Sequence, residues 1–309
     1  MDASNATAET MPETQLRRAW QPSPLIRGSV ALHLTAAGVA LVRPQLWPWA
    51  LGAVAANHLA LAAAGIWPRS RLLGPNWTRL PPGPAAAEAA AVPGVARAPA
   101  VVAITIDDGP DPEVTGRVLD VLDEHRATAT FFCIGERVAT HPALARGIVA
   151  RGHEIGNHSH RHSGCFSLLG PRGLAAEVAR AQATIGTVTG EVPRFFRAPG
   201  GVRNPFLEPV LARANLLLAS WTRRGFDTLN GSADVVLGRL TRGLRGGDIL
   251  LLHDGHAARS RAGVPVILEV LPRLLAALTA AGLTPITLRA ALAHSVAAAE
   301  AVSTPDAAA

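Results

Sequence analysis

The chain has 309 residues, a formal net charge of +6 and 49% hydrophobic residues, with a mean hydropathy of +0.23. All 29 basic residues are Arg and they are scattered along the chain, which argues against a nucleic-acid role, while two cysteines are too few for a disulfide framework. The apolar excess is concentrated between Gly28 and Trp67, so a membrane segment followed by a soluble domain is expected.

Residues 1–27 form a polar N-terminal segment. Two apolar stretches follow. Gly28–Val42 is 15 residues, short of the ~20 a membrane helix usually needs. Leu46–Trp67 is long enough, and Trp47, Trp49 and Trp67 stand near its ends, where tryptophan favours the membrane–water interface. Arg43-Pro44 separates the two, so residues 28–67 read as a helical hairpin, with a single span as the alternative. Arg17, Arg18 and Arg27 precede the pair, Arg43 lies between, and Arg69, Arg71 and Arg79 follow. For a hairpin in a bacterial-type inner membrane, the positive-inside rule places both ends on the cytoplasmic face; a single span puts the following domain outside. His33, Asn57 and His58 fall within these stretches, and interhelical hydrogen bonds are the favoured account of them. Residues 68–98, rich in Pro and Ala, read as a linker, and residues 291–309 as a disordered tail.

From Val101 to Leu288, short apolar runs alternate with helical patterns. The runs are Val101–Ile106, Ala129–Ile134, Glu154–Gly156, Phe195–Arg197, Leu216–Trp221, Asp248–His253 and Thr284–Leu288. The clearest helical patterns are Glu113–His125, Arg172–Val188 and Val264–Ala281. Such alternation implies a parallel sheet. Seven strands in about 190 residues suit a distorted (β/α) barrel, assigned to residues 99–290, better than the closed eightfold form of ~250. In such barrels the chemistry gathers at the C-terminal ends of strands. Asp107-Asp108, His158, Arg197, Asp227 and His253 all fall at or just after predicted strand ends.

Asp107 and Asp108 are adjacent carboxylates at a Gly-Pro turn, and side chains alternate along a strand. One can therefore bind a metal while the other faces a water molecule. His158 and His162, at i and i+4, can share a helical face and grip one ion. Together with Asp108 they make a His₂-carboxylate set with an open position, which suits Zn and also admits Fe, Co or Ni. Arg197 can pair with Asp107 and hold it ionised. The Gly200-Gly201 turn can bring a backbone N–H close to a developing oxyanion. His253 ends an apolar run, where it can donate a proton to a leaving amine. Cys133 reads as a small buried hydrophobe, and Cys165 as a poor rival to the ligands already present.

These motifs, in this order, resemble the polysaccharide deacetylases with a NodB homology domain, carbohydrate esterase family 4. The resemblance covers roughly Pro99–Leu288 and rests on five segments: Thr105–Pro110; Glu154–Ser159 with His162; Arg197–Gly200; Trp221 with Asp227; and Leu251–His253. It implies a seven-stranded distorted barrel that removes acetyl groups from an acylated amino sugar, using one divalent metal ion. Carried across, Asp107 becomes the general base, and Asp108, His158 and His162 the metal ligands. Arg197 steadies the base, His253 is the acid, and Asp227 joins the catalytic set. Leu251 lines the acetyl pocket, and the Gly200 N–H helps to hold the oxyanion. Three positions depart from the family pattern: Gly200 and Thr228 stand where Tyr and Trp are frequent, and Arg224 where Asp is frequent. These bear on the substrate, not on the reaction type. A non-sugar amide hydrolase and a non-catalytic carbohydrate-binding relic are the alternatives.

Overall fold

The computed structural model describes residues 18–82 and 100–303; expectations for the remaining residues lie outside it. Helix α1 (Pro24–Val42) starts at Ser23, whose hydroxyl accepts the Ile26 N–H at 3.3 Å. This N-cap, with Pro24 in the first turn, extends the first apolar stretch to 19 helical residues. A 3₁₀ turn at Pro44–Leu46 leads into α2 (Trp47–Ile66). Both helices are long and apolar enough to cross a bilayer, and most of their side chains are exposed. Their polar residues pair across the hairpin: the Asn57 amide donates to the Ser29 hydroxyl at 2.8 Å, and the His33 and His58 rings meet Nε2 to Nε2 at 3.2 Å.

The barrel is a parallel sheet centred on β1 (Ala100–Asp107), followed in chain order by β2 (Thr130–Cys133), β3 (Glu154–Asn157), β4 (Phe195–Phe196), β5 (Leu217–Leu218), β6 (Arg223–Arg224), β7 (Ile249–His253) and β8 (Leu283–Pro285). The continuous path runs β5-β4-β3-β2-β1-β7-β6, with β8 pairing beside the first residues of β1. Every strand pairing is parallel, so all C-terminal strand ends reach the same rim. The sequence does not announce β6, because two arginines carry no apolar signal. The helices that flank the sheet are α3 (Thr115–Glu124), α4 (Gly135–Thr140), α5 (Pro142–Ala150), α6 (Pro171–Thr189), α7 (Leu207–Arg213), α8 (Ala233–Thr241), α9 (Val266–Ala280) and α10 (Leu288–Ser303).

Strand alternation sorts the side chains into two layers. Ile104, Ile106, Phe131, Leu250 and Leu252 face outward into the core shared with α3 and α9. Ala103, Phe132, Ile249 and Leu251 face the barrel interior. Asp107 shares the parity of Ala103, and His253 that of Leu251. Both therefore enter the interior at its upper rim.

Two assignments at the margins of the barrel change. Residues 68–82 of the 68–98 linker are packed onto it: the Trp77 N–H donates to the Leu218 carbonyl at 2.9 Å, and the Leu80 N–H to the Gly247 carbonyl at 2.8 Å. The Thr222 hydroxyl donates to the Thr78 carbonyl at 2.6 Å. Residues 77–80 thus occupy the open seam between β5 and the β6–β7 edge, and Leu80 is buried in the inner core there. Second, α10 continues to Ser303, although disorder was expected from residue 291. Leu288 and Ala291 anchor it in the inner core, and the Ala-rich remainder has high helix propensity.

Candidate active site

The rim cavity has a volume of about 230 Å³, and Asp107, Asp108, His158, His162 and His253 all line it. Asp107 arrives on the last residue of β1. Its Oδ1 accepts a hydrogen bond from Arg197 Nη1 at 2.6 Å. Arg197 is buried to 1% exposure, and its other donors are also committed. They reach the Ala219 carbonyl at 3.1 Å, the Ser220 carbonyl at 2.8 Å and the Thr105 hydroxyl at 2.8 Å. Its guanidinium lies 4.1 Å from the centroid of the Phe132 ring. Burial opposes the Arg197 charge, and Asp107 is the group that sustains it. The pair therefore has a fixed geometry.

Asp108 leaves the strand with φ 74, in the left-handed region. That turn brings it next to two imidazoles: His158 Nε2 is 3.3 Å and His162 Nε2 3.2 Å from its Oδ1. One potential ligand atom from each of the three residues lies within 4.8 Å of the others. His158 Nδ1 contacts the Arg197 carbonyl at 2.8 Å. A carbonyl only accepts, so Nδ1 carries the proton and Nε2 presents a lone pair. The expected helical face does not exist. His158 follows β3 directly, and the loop turns through Ser159 (φ 62) and His162 (φ 52). Asn157 and Ser159 hold it: Asn157 Oδ1 accepts the Ser159 N–H at 2.9 Å, and the Ser159 hydroxyl accepts the His162 N–H at 3.0 Å.

This set fits a divalent cation. Asp108 Oδ1 is buried with no hydrogen-bond partner, an orphan acceptor facing two ring nitrogens. Burial works against the Asp108 charge, yet contacts to His158 and His256 hold its carboxyl well below the usual carboxylate range. Burial and the neighbouring His158 push His162 down to about 4, so it is neutral at pH 7. Burial also resists a proton on His158, but Asp107 and Asp108 outweigh it and raise its pKa. A cation would displace that proton.

At the end of β7, beside Asp107 on the neighbouring strand, His253 forms a second pair with Asp227. Asp227 Oδ1 lies 2.9 Å from His253 Nδ1, and its Oδ2 accepts the His253 backbone N–H at 2.7 Å. Burial lowers the tendency of His253 to hold a proton, but the contact with Asp227 dominates and raises its pKa. Leu251 and Trp221 supply apolar wall, and Gly200 lines the cavity with φ 60. At Gly201 (φ 76) a Cβ would sit 2.5 Å from the Trp221 ring and 2.9 Å from Pro68, so only glycine permits this approach. Cys165 is exposed and outside the cluster, and Cys133 is buried.

Sequence reasoning missed His256. Its Nδ1 lies 3.2 Å from Asp108 Oδ2, and Arg137 Nη2 approaches its Nε2 at 3.2 Å. Arginine only donates, so Nε2 accepts and the Nδ1 proton points at Asp108. His256 thereby orients the carboxylate and leaves Oδ1 facing the histidines. The His-x-x-His spacing from His253 was the available signal. His256→Ala is expected to weaken metal affinity by about 10- to 100-fold, measured by chelator competition.

One rim of the half-barrel thus gathers paired carboxylates, two convergent histidines and a carboxylate-backed histidine, groups able to hold a cation and to move protons. The polysaccharide deacetylase family model matches residues 94–218. A peptidoglycan-N-acetylglucosamine deacetylase of Bacillus cereus is 36% identical over 176 residues, covering 56% of this chain and 81% of that protein. A chitooligosaccharide deacetylase of a Bradyrhizobium species is 38% identical over 156 residues, 50% of this chain and 71% of that one. Among solved structures, a family 4 carbohydrate esterase from Streptomyces lividans, in complex with acetate, superposes with a TM-score of 0.55 at 31% identity. That match covers 60% of this chain and 91% of the esterase. The chain belongs to the polysaccharide deacetylase family.

Proposed function

We propose that the protein is a membrane-anchored, metal-dependent hydrolase that removes acetyl (acyl) groups from N-acylated amino sugars of a polysaccharide, an oligosaccharide or a lipid-linked sugar. The observation that carries this reading is the pairing of Asp107 with Arg197 beside the Asp108–His158–His162 set, with His253 lining the same cavity. The two relatives are named for N-acetylglucosamine in peptidoglycan and for chitooligosaccharides, so N-acetylglucosamine glycans are the first substrates to test. Zn suits the His₂-carboxylate set best, with Co or Ni as substitutes.

When bound, the ion would supply Lewis-acid polarisation of the acyl carbonyl. Asp107 then acts as the base. Its Oδ1 is tied to Arg197, which leaves Oδ2 to take a proton from the attacking water. Arg197 fixes the direction of this carboxylate. As the carbonyl carbon becomes tetrahedral, the Gly200 N–H is the assigned donor to the oxyanion. Leu251 and Trp221 provide an apolar wall for the acyl methyl. Collapse breaks the C–N bond, and His253 delivers a proton to the departing amine. The products are the carboxylate and the free amino sugar.

His253 must carry its proton to act, and Asp227 raises the pH at which that proton is lost. Asp227→Asn removes the charge, so the alkaline limb of kcat is expected to move to lower pH, by about one unit or more for a buried pair. A pH profile of kcat checks this; an unmoved limb assigns the acid elsewhere.

The hairpin of residues 28–67 is assigned as the anchor, and residues 99–290 as the catalytic unit. Pro68 lies two residues beyond α2 and packs against Gly201 of the cavity wall, so the site stands next to the end of the hairpin. The arginine distribution favours the cytoplasmic face. A non-sugar amide is a second reading, favoured by the small side chains of Gly200 and Thr228 in the cavity wall. A panel of acetylated sugars and simple aryl or cyclic amides, with and without chelator, separates the two. No turnover of any of them after Zn or Co loading would favour a non-catalytic carbohydrate-binding role.

A further inference from the structure

Two adjacent arginines form β6, and they have different fates. Arg223 is consumed by structure: its guanidinium bonds to the Asp248 carboxylate and to the carbonyls of Arg242 and Gly243. Arg224 lines the catalytic cavity. Its guanidinium carbon lies 5.4 Å from the Trp221 ring centroid and 4.9 Å from that of Phe226. Its Nε is buried without a hydrogen-bond partner, and among the described residues no carboxylate pairs with it. Two aromatic faces therefore fix the direction of a cation that the protein itself leaves without a counter-charge. Arg224 is half-buried, so the rest of its guanidinium keeps donors available to an anionic ligand in the cavity.

A second cation stands nearby. Arg69 donates to the Thr222 carbonyl at 3.4 Å, two residues before Arg224, and no carboxylate among the described residues pairs with it. Arg69 also lies three residues beyond the end of α2. A second positive charge thus stands between β6 and the end of the hairpin. The acidic groups of the site lie elsewhere: Asp107 is held by Arg197, and Asp108 by the histidines. Arginine's planar fork of donors matches the oxygens of a phosphate, and a neutral sugar hydroxyl would leave its charge uncompensated.

We propose that Arg224 is a specificity-determining residue that reads an anion on the substrate, so that the cavity takes an acylated amino sugar bearing a phosphate near the scissile amide. This rests on the hydrolase reading above. The phosphate can come from a soluble sugar phosphate or from the head group of a membrane glycolipid. The second source suits the apolar groove of about 370 Å³ between Ile26, Val30, Leu61 and Phe206. Leu61 lies seven residues before Pro68, which packs at the cavity wall just beyond the end of α2.

The test uses the full chain in phospholipid vesicles, loaded with Zn. Three substrates are compared: a neutral N-acetylglucosamine disaccharide, N-acetylglucosamine 1-phosphate, and N-acetylglucosamine joined to a polyprenyl phosphate in the same vesicles. The readout is kcat/KM for each charged substrate divided by that for the neutral one. The wild-type ratio is expected to exceed about 10, and Arg224→Gln to lower it by about 10- to 100-fold, the worth of a charge-assisted hydrogen bond. Arg224→Lys, which keeps the charge, should retain part of the ratio and guards against misfolding as the cause. Whichever charged substrate has the higher kcat/KM identifies the source of the phosphate. A wild-type ratio near one, or a ratio unchanged in Arg224→Gln, overturns the inference while leaving the hydrolase reading in place. Turnover of none of the three overturns both.

Discussion

Asp107→Asn is expected to lower kcat by at least about 10³-fold while the protein still binds one equivalent of metal. The reason lies in how the two carboxylates divide the work. Asp107 Oδ1 is engaged by Arg197 at 2.6 Å, whereas the orphan acceptor facing both imidazoles belongs to Asp108. Asparagine preserves the shape and can still accept from Arg197 through its carbonyl, but it cannot take a proton from water. Metal analysis beside steady-state kinetics checks both halves. Loss of the ion would place Asp107 among the ligands; retained turnover would move the base elsewhere.

His162→Ala should have the opposite signature: the ion is lost, and activity falls with it to the level of the chelated protein. His162 is the most exposed of the three ligands, with a side chain 25% accessible, so its removal opens the cluster to solvent without hollowing the core. It offers a neutral ring at pH 7, since burial and His158 depress its pKa to about 4. Partial recovery of activity at high Zn concentration would show that only affinity had been reduced. A variant that keeps full metal occupancy would contradict the ligand assignment.

Much of this site was legible in the sequence because its parts sit on strand ends. The runs before Asp107 and His253 are continuous and apolar, so β1 and β7 were readable, and alternation then fixes which side chains turn inward. Asp227, by contrast, follows β6, whose two arginines look like surface. The spacing of His158 and His162 suggests a shared helical face, but the two rings come together on a loop. Positive φ at Ser159 and His162, stabilised by Asn157, folds the loop back on itself, and no periodicity encodes that. His256 carries only the weak His-x-x-His signal and Arg137 none, because they meet where helix α4 after β2 and the loop after β7 share one rim. Residues 77–80 look like a linker by composition. Their place in the barrel seam rests on backbone hydrogen bonds and on long-range partners of Trp77 and Arg79, Phe195 and Asp248, which no local pattern announces.

The contact between the Gly65 carbonyl and the Arg203 N–H, at 3.1 Å, joins the last turn of α2 to the loop that follows Gly201. An added Cβ at Gly65 would fall 2.1 Å from the Arg203 carbonyl oxygen, so the two backbones touch with no side chain between them. Were the hairpin seated in a bilayer, this contact would hold the mouth of the barrel close to the lipid surface rather than on a free tether. Encounter with a target confined to the same leaflet then becomes a search in two dimensions, and turnover would scale with surface density rather than with bulk concentration.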